Sequence, residues 1–98
     1  AYELAEFGIR VNNLVAGAIH TPRWDGQSAE ETARRRRQYP LGREATMEEV
    51  AAAAYFLATE ASANMTGSEL VMDAGLGACC LPYRPCHAEE EDACESRT

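Results

Sequence analysis

A stretch of nine residues without a single charge, Val50 to Ala58, constrains the fold of this 98-residue chain more than any other feature. It follows Thr46-Met47-Glu48-Glu49, a capping box in which the threonine hydroxyl and the second glutamate satisfy the first free amides of a helix. A helix that is apolar on every side must be covered on more than one side. One face can lie on a sheet, and the other needs a second protein surface.

Two predicted strands flank this helix. Ile9 to Val15 carries aliphatic residues on both faces, which is typical of a largely buried parallel strand. Glu69 to Asp73, introduced by a turn at Thr66-Gly67, is a second, shorter strand. Parallel strands need a crossover connection, which is usually a helix and is nearly always right-handed. The sequence therefore predicts an α/β fold with a parallel sheet.

The chain opens in what reads as the last turns of a helix, with Gly8 as its stop signal. We therefore expect the sequence to be the C-terminal piece of a larger protein. Farther along, Ser28-Ala29-Glu30-Glu31 is another capping box. The helix that it starts is predicted to run to about Gln38 and to end before Pro40.

We expect two regions, a folded part over 1–78 and a divergent acidic tail over 79–98. The tail has two prolines, the acidic run Glu89 to Asp92 and few large apolar side chains, a composition that predicts disorder. Its four cysteines and one histidine are Cys79, Cys80, Cys86, Cys94 and His87. Zinc sites usually show paired Cys-x-x-Cys spacing, which is missing, so the pattern favours free thiols over a metal or redox module.

The charge distribution argues against several classes of partner. The net charge is −7, and the chain lacks the basic face that a nucleic-acid backbone requires. The run Arg34 to Arg37 points in all directions on a helix and is partly matched by Glu30 and Glu31, so a solvated face is favoured. No apolar run approaches the roughly 20 residues of a membrane span, and no signal-peptide pattern opens the chain. We expect a cytoplasmic protein without a membrane or nucleic-acid partner.

Five short motifs follow one another along the chain. They are Leu-Ala-Glu-Phe-Gly-Ile-Arg-Val-Asn from Leu4, Ala-Gly-Ala-Ile-His-Thr-Pro from Ala16, Pro40-Leu41-Gly42-Arg43, Glu48-Glu49-Val50-Ala51 leading to Phe56-Leu57-Ala58, and Thr66-Gly67 through Asp73-Ala74-Gly75. With these motifs, Leu4 to Gly75 resembles the C-terminal third of a short-chain dehydrogenase/reductase. The resemblance implies the C-terminal part of a Rossmann-like doubly wound parallel sheet, in the order strand, lid helix, helix, strand. It ends after about Cys79.

The resemblance gives a cofactor role to the loop from Ala16 to Pro22. In the family this loop holds the nicotinamide carboxamide of NAD or NADP. The matching positions are Ile19, through its main-chain N–H and C=O, and Thr21, through its hydroxyl, while Gly17 lets the main chain approach a flat ligand. Ala16 stands where the family usually has proline. The residues alone favour an ordinary loop with a helix-capping threonine, and the resemblance reverses that preference.

Three further residues are candidates for the substrate side of the site. His20 lies beside the expected nicotinamide loop, although a lone loop histidine is more often structural. Trp24 and Tyr39 bracket the segment that closes over substrate in the family. These aromatic residues could line an apolar pocket, and core packing is an equal alternative.

No residue of this chain is predicted to be catalytic. The family uses a Tyr-x-x-x-Lys pair, in which the lysine lowers the tyrosine pKa. All nine basic residues here are arginine, and Tyr39 and Arg43, the one tyrosine with an arginine four residues on, are separated by Pro40. The glycine-rich pyrophosphate turn is also missing. We therefore predict that this chain alone has no dehydrogenase activity.

The leading hypothesis is the C-terminal portion of an NAD(P)-dependent oxidoreductase acting on a secondary alcohol or ketone. The alternative is a non-catalytic interaction module that retains the assembly elements of the fold. In both cases we expect a homo-oligomer formed through the Val50–Ala58 helix and the Glu69–Asp73 strand. A second copy related by a two-fold axis would cover the apolar helix and the edge of the sheet together.

Overall fold

The computed structural model describes residues 1–78, which form two strands and two α-helices. In chain order they are β1 (Asn13–Ala16), α1 (Ala29–Arg36), α2 (Met47–Ala58) and β2 (Glu69–Met72). Short 3-10 turns lie at Ala5–Phe7, Pro22–Gly26, Glu60–Ser62 and Leu76–Ala78. The predicted order of strand, helix, helix and strand is confirmed. The predictions for the cysteine-containing tail fall outside the described residues.

The two strands form a parallel sheet. Asn13 lies opposite Glu69, and the ladder continues to Ala16 opposite Met72. Both helices lie in the connection between the strands, so the chain forms the predicted βαβ arrangement. The first turn of the chain ends as predicted, because Gly8 adopts a left-handed conformation (φ 75°) that suits glycine.

β1 begins four residues later than the predicted strand at Ile9. The reason is that the turn at Thr66-Gly67, and not a strand, lies beside Val11. The Val11 N–H donates to the Thr66 hydroxyl at 3.1 Å, and the Val11 carbonyl accepts from the Gly67 N–H at 2.8 Å. Ladder pairing starts only after this turn, at Asn13.

The Arg10 side chain joins this early segment to the end of α2. Its guanidinium donates to four carbonyl oxygens at 2.8 to 3.3 Å, those of Leu57, Thr59, Ser62 and Met65. The last carbonyls of a helix have no partner within the helix, and a cation there also opposes the negative end of the helix dipole. Arg10 therefore caps α2 from a distant part of the sequence.

α2 starts with the predicted capping box. The Thr46 hydroxyl accepts the Glu49 N–H at 3.0 Å, and the Glu49 carboxylate accepts the Thr46 N–H at 2.9 Å. Arg43 also donates two hydrogen bonds to the Glu49 carboxylate, at 2.9 and 2.6 Å. These bonds, those from Arg43 first, lower the pKa of Glu49 to about 2.

α1 is shorter than predicted and only half capped. It ends at Arg36 rather than at about Gln38. The Ser28 hydroxyl accepts the Glu31 N–H at 3.1 Å, as expected. The Glu31 carboxylate, however, lies 3.5 Å from the Ser28 hydroxyl instead of bonding the Ser28 main chain, so the reciprocal half of the capping box does not form.

Apolar side chains on α2 and on both strands remain exposed. Tyr55 is 74% exposed and Phe56 36%, and no residue of α2 is buried. Val15 of β1 and Val71 of β2 are 41% and 53% exposed. β1 is therefore open rather than largely buried, because residues 1–78 provide too few elements to cover both faces of the sheet. None of the helices in this part of the chain is long and apolar enough to cross a membrane.

Candidate functional site

The loop after β1 leaves the sheet at the carboxyl ends of both strands, where open parallel sheets bind their ligands. The Gly17 N–H donates to the Met72 carbonyl at 3.0 Å, so the contact between the strands extends into the loop. A Cβ on Gly17 would lie only 3.0 Å from the Asp73 Cα. Glycine at this position therefore allows the loop to pack closely against Asp73. Its role toward a ligand stays a prediction.

Ile19 presents two main-chain groups that the fold does not use. Its neighbours pair with Ala45: the His20 N–H donates to the Ala45 carbonyl at 2.7 Å, and the Ala45 N–H donates to the Ala18 carbonyl at 3.0 Å. In an extended chain alternate residues direct their polar groups to opposite sides. The Ile19 N–H and C=O accordingly take part in no hydrogen bond within residues 1–78.

Thr21 offers a third polar group close by. It precedes the Pro22–Gly26 turn, and its main-chain carbonyl accepts the Trp24 N–H at 2.9 Å. Its side chain makes no capping hydrogen bond, although the residues alone favoured that capping role. The Thr21 hydroxyl and the N–H and C=O of Ile19, two residues apart, are thus available on the same loop.

The two aromatic candidates are buried. Trp24 is 6% exposed and Tyr39 8%, and they form the apolar core of the described residues. The Trp24 ring contacts the His20 ring, with centroids 5.6 Å apart, and the Arg35 guanidinium lies 4.3 Å from its centroid. Both aromatic side chains are therefore buried in this structure, and their role toward a substrate stays a prediction.

His20 is part of a charged cluster centred on Glu44. The Glu44 side chain is 4% exposed, and Arg36 donates to both of its carboxylate oxygens at 2.8 Å. The His20 Nδ1 lies 2.6 Å from the same carboxylate, and its Nε2 lies 3.3 Å from the Asp25 carboxylate. The cluster therefore connects α1, the Pro22–Gly26 turn and the loop after β1.

The cluster shifts the titration of its members in opposite directions. Hydrogen bonds from Arg36, with a smaller contribution from His20, lower the pKa of Glu44 to about 2. The hydrogen bond to Glu44, and then the one to Asp25, raise the pKa of His20 above its usual 6.5. A carboxylate that stays ionised thus favours a protonated imidazole beside it.

Sequence reasoning did not find Glu44, Arg36 or Asp25. One signal was available for the first of them. Glu44 is the only acidic residue between Glu31 and Glu48, and that interval contains five arginines. A single carboxylate among so many cations is a natural partner for one of them.

An open cleft of about 660 Å³ lies between the α1–α2 connection and the end of β2, and Glu44 of the charged cluster is among its lining residues. Its lining is mostly apolar and includes Leu41, Val71, Met72, Ala74 and Ala78. The Asp73 carboxylate, which also lines the cleft, accepts hydrogen bonds from the N–H groups of Gly75 and Gly77, at 3.0 and 2.8 Å. The cleft does not contain Ile19 or Thr21. Residues 1–78 contain no group of three side chains suited to hold a metal ion.

Comparison with known proteins supports one family. A family model described as enoyl-(acyl carrier protein) reductase matches residues 1–77. An uncharacterised oxidoreductase of Schizosaccharomyces pombe is 38% identical over 89 residues, covering 88% of this chain and 33% of the relative. A 3-oxoacyl-[acyl-carrier-protein] reductase of Thermotoga maritima is 44% identical over 78 residues, covering 78% of this chain and 31% of the relative. The chain thus spans about a third of the length of such curated relatives.

The fold agrees with these sequence matches. The crystal structure of a short-chain dehydrogenase family protein from Francisella tularensis superposes with a TM-score of 0.71 and 30% sequence identity. That match covers 81% of this chain and 37% of the other. With a family model that matches most of the chain and an oxidoreductase relative that aligns over 88% of it, this protein belongs to the short-chain dehydrogenase/reductase family.

Proposed function

We propose that this chain is the C-terminal portion of an NAD(P)-dependent oxidoreductase that interconverts a secondary alcohol and a ketone by hydride transfer. The observation that carries the proposal is the polar group set on the loop after β1. The Ile19 N–H and C=O and the Thr21 hydroxyl lie two residues apart and serve no hydrogen bond or cap within the described chain. Polar groups left over in a loop at this edge of a parallel sheet suit a ligand.

These groups fit the nicotinamide carboxamide. A carboxamide has one acceptor oxygen and two N–H donors. The Ile19 N–H can donate to the oxygen, and the Ile19 carbonyl and the Thr21 hydroxyl can accept from the amide nitrogen. The nicotinamide ring would supply or take up the hydride. The loop groups would hold and orient that ring. Orientation of this kind raises the rate by keeping the reacting atoms in a productive geometry.

We infer the substrate class from the names of three of the relatives. They include a 3β-hydroxysteroid dehydrogenase of Eggerthella lenta and a trans-4-hydroxycyclohexanecarboxylate dehydrogenase of Sinomonas cyclohexanicum. These names share a ring-borne secondary alcohol, and the 3-oxoacyl reductase acts on the corresponding oxidation level, a ketone. We assign proton transfer to residues outside these 98, because the chain contains no lysine for a Tyr-x-x-x-Lys pair.

Thr21→Val in the complete oxidoreductase is expected to raise the Kd for the nicotinamide cofactor by about 5- to 30-fold. Valine keeps the shape of threonine but removes the hydroxyl, and a lost hydrogen bond with a stranded partner costs about 1–2 kcal/mol. Fluorescence titration with NADH and NADPH measures the change. Thr32→Val on α1 is the matched control and should leave the Kd unchanged. An unaltered Kd in Thr21→Val would return this loop to a structural role.

We further propose that α2 and β2 form the contact between subunits. Tyr55 and Phe56 present aromatic surface on α2, and Val71 presents aliphatic surface on β2. Ala51, Ala52 and Ala54 are exposed and small, so a second helix can approach closely. β2 pairs with β1 alone in the described sheet and offers its other edge. A second copy of the chain would cover these surfaces together.

Ala54→Glu is expected to dissociate the oligomer of the complete protein into smaller species. The substitution places a charge on the exposed apolar surface of α2, where it would be buried unpaired at the interface. Ala54 is a sharper choice than the half-buried Ala53, because a charge at 53 would also disturb the fold. Sedimentation velocity measures the outcome, with Ala33→Glu on the exposed side of α1 as control. An unchanged sedimentation coefficient in Ala54→Glu would refute this interface.

A non-catalytic interaction module would use the same interface. The titration of the wild-type protein with NADH and NADPH, made alongside Thr21→Val, distinguishes the two functions. A module without cofactor chemistry binds neither cofactor.

A further inference from the structure

His20 stands between the two residues proposed to hold the nicotinamide, Ile19 and Thr21. Its main-chain N–H is fixed by the Ala45 carbonyl at 2.7 Å, and its ring is held on both nitrogens by carboxylates. Whatever fixes His20 therefore also fixes the orientation of the loop groups on either side. The histidine itself makes none of the proposed cofactor contacts.

One of the two carboxylates is a rigid acceptor. Arg36 binds both oxygens of Glu44, and the Glu44 side chain is almost fully buried. An ionised carboxylate accepts hydrogen bonds and donates none. The His20 Nδ1 must therefore carry a proton to bond Glu44 at 2.6 Å. This bond is available to the neutral Nδ1–H tautomer and to the imidazolium alike.

The second carboxylate distinguishes these two forms. Asp25 lies in the Pro22–Gly26 turn, and its carboxylate faces the His20 Nε2 at 3.3 Å. In the neutral Nδ1–H tautomer Nε2 is a lone pair, which a carboxylate repels. Only the doubly protonated ring bonds Glu44 and Asp25 at once.

The remaining groups around the ring do not alter this requirement. Trp24 contacts the His20 ring and carries Arg35 at 4.3 Å from its ring centroid. Arg36 is engaged by the Glu44 carboxylate, and Arg43 donates to the Glu44 carbonyl at 2.8 Å. These arginines are each satisfied by another group, and Asp25 is the acceptor that faces Nε2.

We propose that His20 is a positioning residue whose second proton fastens the Pro22–Gly26 turn to the cofactor loop, so that the complete oxidoreductase binds its nicotinamide cofactor more tightly when the imidazole is charged. The inference rests on the proposed cofactor role of this loop. Loss of the Nε2 proton keeps the bond to Glu44 and releases only the turn that follows Thr21. Thr21, which directly precedes that turn, is then held only from the side of Ile19, so its hydroxyl is less well oriented toward the cofactor.

The direction of the pH dependence follows from the two carboxylates. Both raise the pKa of His20 above 6.5, the bond to Glu44 more than the bond to Asp25. The contact between His20 and Asp25 is therefore complete below about pH 6.5 and is lost as the pH rises through the raised pKa. We expect the cofactor Kd to increase about two- to fivefold over this rise, the range of an exposed ion pair.

The test combines two measurements on wild type, Asp25→Asn and Glu30→Gln. The first is the Kd of NADH and NADPH for the complete protein between about pH 6 and 9, across the range in which histidine titrates. The second is the titration of the His20 ring by NMR. The His20 signal is assigned as the one that is lost in His20→Gln. Glu30→Gln removes one exposed negative charge from α1 without touching His20, so it is the matched control.

In wild type we expect the pH at which the Kd changes to coincide with the NMR midpoint of His20. Both pH values should decrease in Asp25→Asn and stay unchanged in Glu30→Gln. A Kd that does not change over this pH range, or a step that Asp25→Asn leaves where it was, overturns the inference while the cofactor role stands. If the protein binds neither cofactor at any pH, the proposed function fails and this inference fails with it.

Discussion

Arg10→Met is expected to lower the free energy of unfolding of the complete protein by about 2–4 kcal/mol. The substitution keeps an apolar stem of similar length and removes the donor to the Leu57, Thr59, Ser62 and Met65 carbonyls. A hydrogen bond from a charged donor contributes about 1.5–3 kcal/mol, and water can replace part of it because the site is only partly buried. Each carbonyl keeps another donor, from Ser62, Met65 or Asn12, but all four lose a charged one together, so the sum exceeds a single bond.

Arg23→Met is the matched control for this loss. Arg23 is exposed in the Pro22–Gly26 turn, and its side chain takes part in none of the hydrogen bonds found within residues 1–78. Arg10→Lys should give an intermediate loss, since an ammonium group cannot span four acceptors as a guanidinium does. Urea denaturation followed by circular dichroism measures all three variants. A change below about 0.5 kcal/mol in Arg10→Met, the usual range for a surface site, would contradict the capping role.

Local signals in the sequence predicted the parts of the fold that depend on neighbouring residues. The capping box at Thr46 and Glu49 needs only four consecutive residues, and both of its hydrogen bonds form. Gly8 stops the first turn through its own left-handed conformation. The charge-free stretch from Val50 to Ala58 and the strands on either side predicted the α/β class and the order of elements.

Interactions between distant residues account for what the sequence left out. The start of β1 is set by Thr66 and Gly67, about 55 positions after Val11, and no local pattern contains that pairing. The same holds for the charged cluster, because His20 and Glu44 are separated by 24 positions.

The arginines of α1 are an instructive case. The helical spacing predicted pairs of Glu30 with Arg34 and of Glu31 with Arg35, each worth about 0.2–0.5 kcal/mol. The structure gives neither pair: Arg35 instead lies over Trp24, and Arg36 bonds Glu44 through two hydrogen bonds. A bidentate bond to a buried carboxylate is stronger than an exposed pair on a helix surface, so tertiary structure decides the partner. The two predicted pairs therefore do not form, although the Arg36 side chain is still 42% exposed, in agreement with a solvated face.

The predicted site residues show the same difference between local motifs and contacts between distant residues. Motif order pointed to Ile19 and Thr21, and their polar groups are available in the fold, although their contact with a cofactor stays a prediction. The surroundings of His20 depend on Glu44 and Asp25, which come from other parts of the connection. A motif identifies the loop, whereas the chain that folds over it determines the charge of the histidine.

Glu44→Gln is expected to destabilise the complete protein by about 2 kcal/mol near neutral pH. The substitution leaves Arg36 and His20 without the carboxylate that both of them bind. Removing one partner of a buried ion pair costs about 3–5 kcal/mol, and here the cost is lower because the side chains of Arg36 and His20 are 42% and 39% exposed to solvent. Glutamine can accept one hydrogen bond from Arg36 but offers no charge.

The difference in stability between wild type and Glu44→Gln should decrease on both sides of a central pH range. The pKa of Glu44 is lowered from 4.5 to about 2, so its contribution is complete above about pH 4.5 and is lost as the pH falls toward 2. The pKa of His20 is raised above 6.5, so the contribution of its ion pair is complete below about pH 6.5 and is lost as the pH rises through the raised value. The largest difference is therefore expected between about pH 4.5 and 6.5.

Urea denaturation at a series of pH values, followed by circular dichroism, measures this profile. Glu30→Gln on the exposed surface of α1 removes the same charge and should leave both the stability and its pH profile nearly unchanged. If Glu44→Gln cost no more than Glu30→Gln, or if its cost were independent of pH down to about 3, the Glu44 carboxylate would not hold the connection between α1 and the loop after β1.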